Sequence, residues 1–192
     1  MLKYLAEEIS LRLVTNKIIT DDKRKYYTYG LELILSDIFI FLILALVAII
    51  TNTVLMSVVF ACTFCILRSY SGGYHSKTYA GCFIITLSIY SLLLIFNTIL
   101  DELRASVGVV LIILSLPIIF KLSPIENINH LIMWRDSRKF KKISTTLAIV
   151  YVLIFITSLI YISDEVAFSI SWSLFATAFL MMVSILLNKK EE

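Results

Sequence analysis

The sequence predicts an all-α, polytopic integral membrane protein. Six transmembrane helices follow an N-terminal amphipathic interfacial helix, and both termini face the cytoplasm. Three observations predict this. First, 59% of the 192 residues are hydrophobic and only 16% are charged, against about 45–50% and about 25% in ordinary soluble domains; mean hydropathy is +0.92. Second, the apolar residues gather into segments near Leu33–Thr51, Thr53–Leu67, Ala80–Leu100, Ala105–Lys121, Ile143–Ser163 and Glu165–Leu187. Each meets or nearly meets the roughly 17–25 residues that cross a bilayer as a helix. Third, the lysines and arginines alternate between the two sides that such a path defines. Helices are the expected form, because lipid cannot satisfy the backbone groups of an open strand.

Taken in order, residues 1–20 place Leu2, Leu5, Ile9 and Leu13 at helical spacing. This helix is too charged to span. It either lies in the cytoplasmic interface with its apolar face toward lipid or packs on the cytoplasmic loops. Met1 to Tyr29 lacks the 7–15-residue apolar core of a cleavable signal peptide. Asp21–Lys25 reads as a solvated turn into the first span. The second span is short unless it takes in Asn52 and Arg68, and Pro117 is placed to kink the fourth. The chain reads as one membrane domain over 1–192: a cytoplasmic amphipathic segment over 1–30, six helices over 31–187, and a cytoplasmic tail over 188–192. No internal repeat is evident, which weakens a transporter built of inverted halves.

Of the 17 lysines and arginines, all but Arg104 fall on the side of the termini. They lie in residues 1–30, in the connection between the second and third spans, in the connection 121–142 and in the tail. The positive-inside rule assigns that side to the cytoplasm. The alternation also supports the short second span, since omitting it would scramble the pattern.

The connection between the second and third spans carries the chemistry. It reads Arg68-Ser69-Tyr70-Ser71-Gly72-Gly73-Tyr74-His75-Ser76-Lys77-Thr78-Tyr79-Ala80-Gly81-Cys82 and holds three of the five glycines and one of the two histidines. Cys82 opens the third span, where the partial positive charge of a helix N-terminus favours a thiolate. His75 can take the thiol proton and return it to a leaving group if the two side chains meet. Gly72, Gly73 and Gly81 permit the tight backbone such a loop needs. Residues seven apart in an unbroken helix share a face but rise by about 10.5 Å. A dyad therefore requires the chain to bend or break between Ser76 and Gly81. Cys62 and Cys65, by contrast, lie inside an apolar span without partner ligands and read as small apolar residues. His130 reads as solvated or interfacial, and the Arg135–Lys142 cluster as an anchor on anionic headgroups.

The pattern Arg68-x3-Gly72-Gly73-x-His75-x6-Cys82 resembles the signature of the accessory gene regulator B (AgrB) family, membrane cysteine endopeptidases that mature the precursors of Gram-positive quorum-sensing peptides. Tyr29-Gly30-Leu31-Glu32 resembles that family's entry to the first span. Ser123-Pro124-Ile125-Glu126-Asn127-Ile128-Asn129 resembles its proline–acidic–asparagine element after the fourth. Length, topology and order of elements match over nearly the whole chain.

The resemblance implies that Cys82 is the nucleophile and His75 its general base and acid. Arg68 positions the substrate or the loop, or anchors the second span. Glu32 and Asp37 lie where charge is costly and usually partnered; they orient His75 or pair with Arg68, the pairing being the stronger expectation. Glu126 contacts the precursor or caps a loop. The implied substrate is an AgrD-type propeptide that binds through an amphipathic leader. Thioester formation on Cys82 and cyclisation to a thiolactone or lactone would follow. The implied partners are the lipid bilayer and a second copy in a homodimer, although no Gly-x3-Gly motif supports the dimer independently. No cofactor, metal or nucleic acid enters this reading. The competing classes are a small transporter or exporter, which should carry a polar path through the bilayer, and a non-enzymatic membrane scaffold.

Overall fold

The computed structural model describes residues 2–74, 79–125 and 137–188. Among them the regular elements are helical: α1 (Leu2–Thr15), α2 (Arg24–Ile50), α3 (Val54–Ser71), α4 (Tyr79–Ile99), α5 (Arg104–Leu122), α6 (Ser137–Tyr161) and α7 (Asp164–Asn188), with single 3-10 turns at Asp21–Lys23 and Asp101–Leu103. The six helices α2 to α7 are long and apolar enough to cross a membrane. Their order and near-coincidence with the apolar segments bear out the all-α polytopic reading.

Boundaries differ where local chemistry overrides hydropathy. α2 begins at Arg24, well before the apolar segment at Leu33. At about 1.5 Å per residue its 27 residues reach about 40 Å, more than the roughly 30 Å hydrocarbon core. Its first turns therefore project as helix beyond the apolar layer. α3 gains length only at its C-terminal end, through Arg68 to Ser71. It gains none at Asn52, which adopts φ 59°, and Thr51 and Thr53 donate their N–H groups back to Val47 and Ala48 carbonyls, both at 2.9 Å. An asparagine in the left-handed region closes helices in this way. α5 continues through Pro117 to Leu122.

α1 packs on α2 through its smallest residues. Ala6 and Ser10 are fully buried, and Thr28 of α2 donates a 2.8 Å hydrogen bond to Ser10 Oγ. Tyr4, Leu5, Ile9 and Leu11 stay exposed. The large apolar residues of α1 thus remain available to the bilayer surface while its small ones grip α2.

The centre of the bundle is α7, which packs on α3, α4, α5 and α6. Residues Val166 to Ser171 are buried without interruption, so the helix is covered on every side there. It is lined with small residues: Ala167, Ser169, Ser171, Ser173, Ala176, Thr177, Ala178 and Ser184 are all buried. In lipid, apolar side chains gain little by leaving the solvent, so close backbone approach through small residues drives association. The hydroxyls are satisfied within the helix: those of Ser169, Ser171, Ser173 and Thr177 donate to the carbonyls of Val166, Phe168, Ser169 and Ser173 at 2.7–2.8 Å. Gly108 of α5 serves the same packing, since a Cβ there would lie 2.9 Å from the Phe155 ring and 3.1 Å from Ser171 Oγ.

Two apolar clusters flank α7. One joins Leu67, Ile112, Ile119, Tyr151 and Phe155 to Ile170, Leu174 and Met181. The other joins Ile40, Leu44, Phe60, Phe64, Tyr90 and Leu93 to Phe168 and Leu180. Polar contacts fix helix register across the second: Ser57 Oγ and Tyr90 Oη share a 2.6 Å hydrogen bond, and Trp172 Nε1 donates to Ile89 O at 3.1 Å. At the turns opposite the termini, Arg104 donates to Asn97 O at 2.8 Å and pairs with Asp101 at 2.7 Å and Glu165 at 3.5 Å. The lone cation on that side is thus neutralised locally.

Candidate active site

The site is built where α3 gives way to the glycine-bearing connection. Ser71 is the last residue of α3, and Gly72 follows at φ 72°, ψ −154°, a combination open almost only to glycine. Gly73 follows at φ 126°. A Cβ on Gly72 would run into the carbonyl oxygen of Ile125, because Gly72 and Ile125 form an isolated parallel bridge. Ile125 N–H donates to Ser71 O at 3.0 Å, and Tyr74 N–H donates to Leu180 O of α7 at 3.1 Å. The Gly72–Tyr74 backbone is therefore clamped from two directions before the chain reaches His75.

Arg68 supplies a third hold. It is buried on the last turns of α3, and its Nη2 donates to the Tyr74 carbonyl at 2.7 Å. The guanidinium carbon sits 5.5 Å from the centroid of the Phe64 ring, a distance that allows cation–π attraction. Its Nε is buried without an acceptor among the described residues. Among the described residues neither Glu32 nor Asp37 closes an ion pair with Arg68. Arg68 instead donates to a backbone carbonyl of the loop itself. Glu32 is largely buried on α2. Asp37 is exposed on the same helix but remains within electrostatic range of Arg68.

Cys82 lies in the first turn of α4 and is half-buried. The ring of the next residue, Phe83, meets Phe39 of α2 with centroids 5.8 Å apart, which fixes the rotation of that turn. Cys65 of α3 lies within electrostatic range of Asp37, Arg68, Cys62 and Cys82. Cys62 is exposed and Cys65 packs against the second apolar cluster. Among the described residues no group of His, Cys, Asp and Glu could hold a metal ion.

His75 and Glu126 lie outside the described residues, as do His130 and Arg135. The expected break between Ser76 and Gly81 falls partly on that interval. What is described is that α3 stops at Ser71 and that Tyr79–Gly81 already belong to α4. Two participants were not named as site residues from the sequence. Leu180 contributes a carbonyl and carried no sequence signal, and Ile125 contributes its backbone from beyond two further spans. Ile125 lies in the Ser123–Asn129 stretch that resembles a family element, but nothing in that stretch pointed to Gly72.

Comparison with known proteins matches nearly the whole chain to one family. The family model described as accessory gene regulator B matches residues 4–186. An AgrB-like protein of Clostridium beijerinckii is 35% identical over 131 residues, covering 66% of this chain and 64% of that protein. The matched region thus spans slightly under two thirds of that relative's length. An AgrB-like protein of Clostridium perfringens strain SM101 is 29% identical over 195 residues, covering 95% of this chain and 86% of its own. A second AgrB-like protein, from C. perfringens strain 13, is 33% identical over 169 residues, covering 82% and 75%. No solved structure matches the chain. The family match and the six apolar helices together make this chain a multi-pass membrane protein that belongs to the accessory gene regulator B family.

Proposed function

We propose that this protein is a cysteine endopeptidase of a Gram-positive cell membrane. It would cut an AgrD-type propeptide at the cytoplasmic face and cyclise the product into a quorum-sensing signal. The observation that carries the reading is the pairing of a clamped loop with a placed thiol. Arg68, Ile125 and Leu180 hold Gly72–Tyr74, the stem of His75, while Cys82 stands half-buried in the first turn of α4.

The chemistry follows from those two groups. His75 takes the Cys82 proton, and the thiolate attacks the carbonyl carbon at the C-terminal boundary of the future signal. The tetrahedral intermediate collapses by breaking the C–N bond. The imidazolium gives its proton to the departing amine, releasing the C-terminal tail and leaving an acyl thioester on Cys82. A thiol or hydroxyl within the bound peptide then gives its proton to the neutral His75, attacks that thioester, closes the ring and expels Cys82 as thiolate, which His75 reprotonates. With a thiol the exchange trades one thioester for another and needs no ATP; loss of the tail supplies direction. An active site shielded from bulk water would favour this route over hydrolysis.

The test is substitution of Cys82 by Ala and of His75 by Ala, with release of the propeptide tail followed by mass spectrometry in membrane vesicles. Both variants should lose tail release, and native protein trapped with substrate should show an acyl adduct on Cys82. Undiminished cleavage by the Cys82→Ala variant would sink the proposal.

A further inference from the structure

Between α5 and α6 runs a short segment that no role in the chemistry requires, yet it is tied to the candidate loop more tightly than a connection needs to be. Ser123 is buried and its hydroxyl hydrogen-bonds the buried hydroxyl of Ser144 on α6. Its N–H donates to Ile119 O at 3.0 Å, so it stays joined to the end of α5. Ile125 is buried in the cluster that contains Leu67, Ile119, Ala148 and Met181. The main chain of Ile125 then faces the loop through both peptide units that flank it: its N–H bonds Ser71 O, and its carbonyl lies against Gly72, where a side chain would collide. Two positive-φ glycines in succession leave a connection that would be loose in isolation, since glycine loses more conformational freedom on folding than other residues. Something outside the loop must hold it.

We infer that Ser123–Ile125 is a positioning strap for the reaction proposed above. Through the Gly72–Ile125 bridge it fixes the backbone that delivers His75, with Ile125 as the anchoring residue and Ser123 as its tether to α6. The strap acts through the loop and not on substrate, and this assignment rests on the endopeptidase reading. Shortening Ile125 frees the bridge from its buried anchor without touching α4, so the thiol stays in place while the loop loses its register.

The experiment compares Ile125→Ala, Ile125→Val and Ser123→Ala in the full-length protein, reconstituted in vesicles, with kcat and KM for tail release measured per folded molecule. Accessibility of Cys82 to a small alkylating agent is read in parallel. Ile125→Ala should lower kcat by about 10- to 100-fold, the scale of a misplacement near 1 Å, with KM within about twofold and Cys82 alkylation within about twofold. Ile125→Val should recover most of the lost kcat, and Ser123→Ala should fall between. If Ile125→Ala yields less folded protein but native kcat per molecule, or if Cys82 alkylation falls in step with kcat, the strap is structural only and the inference is overturned. An active Cys82→Ala variant overturns the peptidase reading and the strap with it. An inactive Cys82→Ala beside an unimpaired Ile125→Ala overturns the strap alone.

Discussion

Replacing Gly72 by Ala perturbs the one backbone position where the loop, α3 and the segment after α5 meet. Two costs follow from the geometry. The residue sits at φ 72°, ψ −154°, where any residue but glycine is strained by about 1–3 kcal/mol. The added methyl also lands on the Ile125 carbonyl, and forcing an extra carbon into a packed site costs about 1–3 kcal/mol more. Together these destabilise the folded arrangement by about 2–6 kcal/mol, at least about 30-fold in an equilibrium constant. Relief is available only by moving the loop from Ile125, which displaces the stem of His75. Gly30→Ala is the matched control: a Cβ there meets nothing within 4 Å, and Ala in a helix gains about 0.5–1 kcal/mol over Gly. Denaturant unfolding in detergent and tail release in vesicles should both separate the two variants, Gly72→Ala being impaired in each and Gly30→Ala in neither. A Gly72→Ala protein as stable and as active as Gly30→Ala would refute the clamped-loop argument.

Two further outcomes test the fold. Gly108→Val should destabilise the bundle by about 1–3 kcal/mol through overpacking, because even a Cβ would sit 2.9 Å from Phe155 and 3.1 Å from Ser171; unfolding in detergent measures it, and native stability would contradict the close approach of α5 to α7. A membrane-impermeant maleimide should label Cys82 in inside-out vesicles and spare it in right-side-out ones, in a variant with Cys62 and Cys65 replaced by Ser. The opposite pattern would reverse the assigned sidedness.

Most of the membrane topology was legible in the sequence, and most of the site's geometry was not. Arg68, Gly72, Gly73 and Cys82 stood out because polar and glycine residues are rare in so apolar a chain. Charge complementarity pointed from Arg68 to Glu32 or Asp37 and could not show its hydrogen bond to the Tyr74 carbonyl, six residues on, because a backbone carbonyl carries no sequence signal. The extension of α2 to Arg24 was hidden because hydropathy marks what lipid tolerates, and a helix can continue past the lipid. Hydropathy left open at which end α3 gains length, and the left-handed Asn52 closes one of them.

The central place of α7 shows the limit most clearly. In water, a buried face announces itself as apolar against a polar one. In lipid the protein interior and the solvent are equally apolar, so periodicity carries little information about which face is packed. Sequence alone therefore determined the number of spans and their order, and it set the expectations for sidedness and for the residues that bear chemistry. Each of these follows from the transfer energy or charge of residues taken one at a time along the chain. Only the tertiary structure decided that small residues make α7 the hub and that Ile125 and Leu180 hold the loop, because those contacts run through backbone groups that every residue possesses.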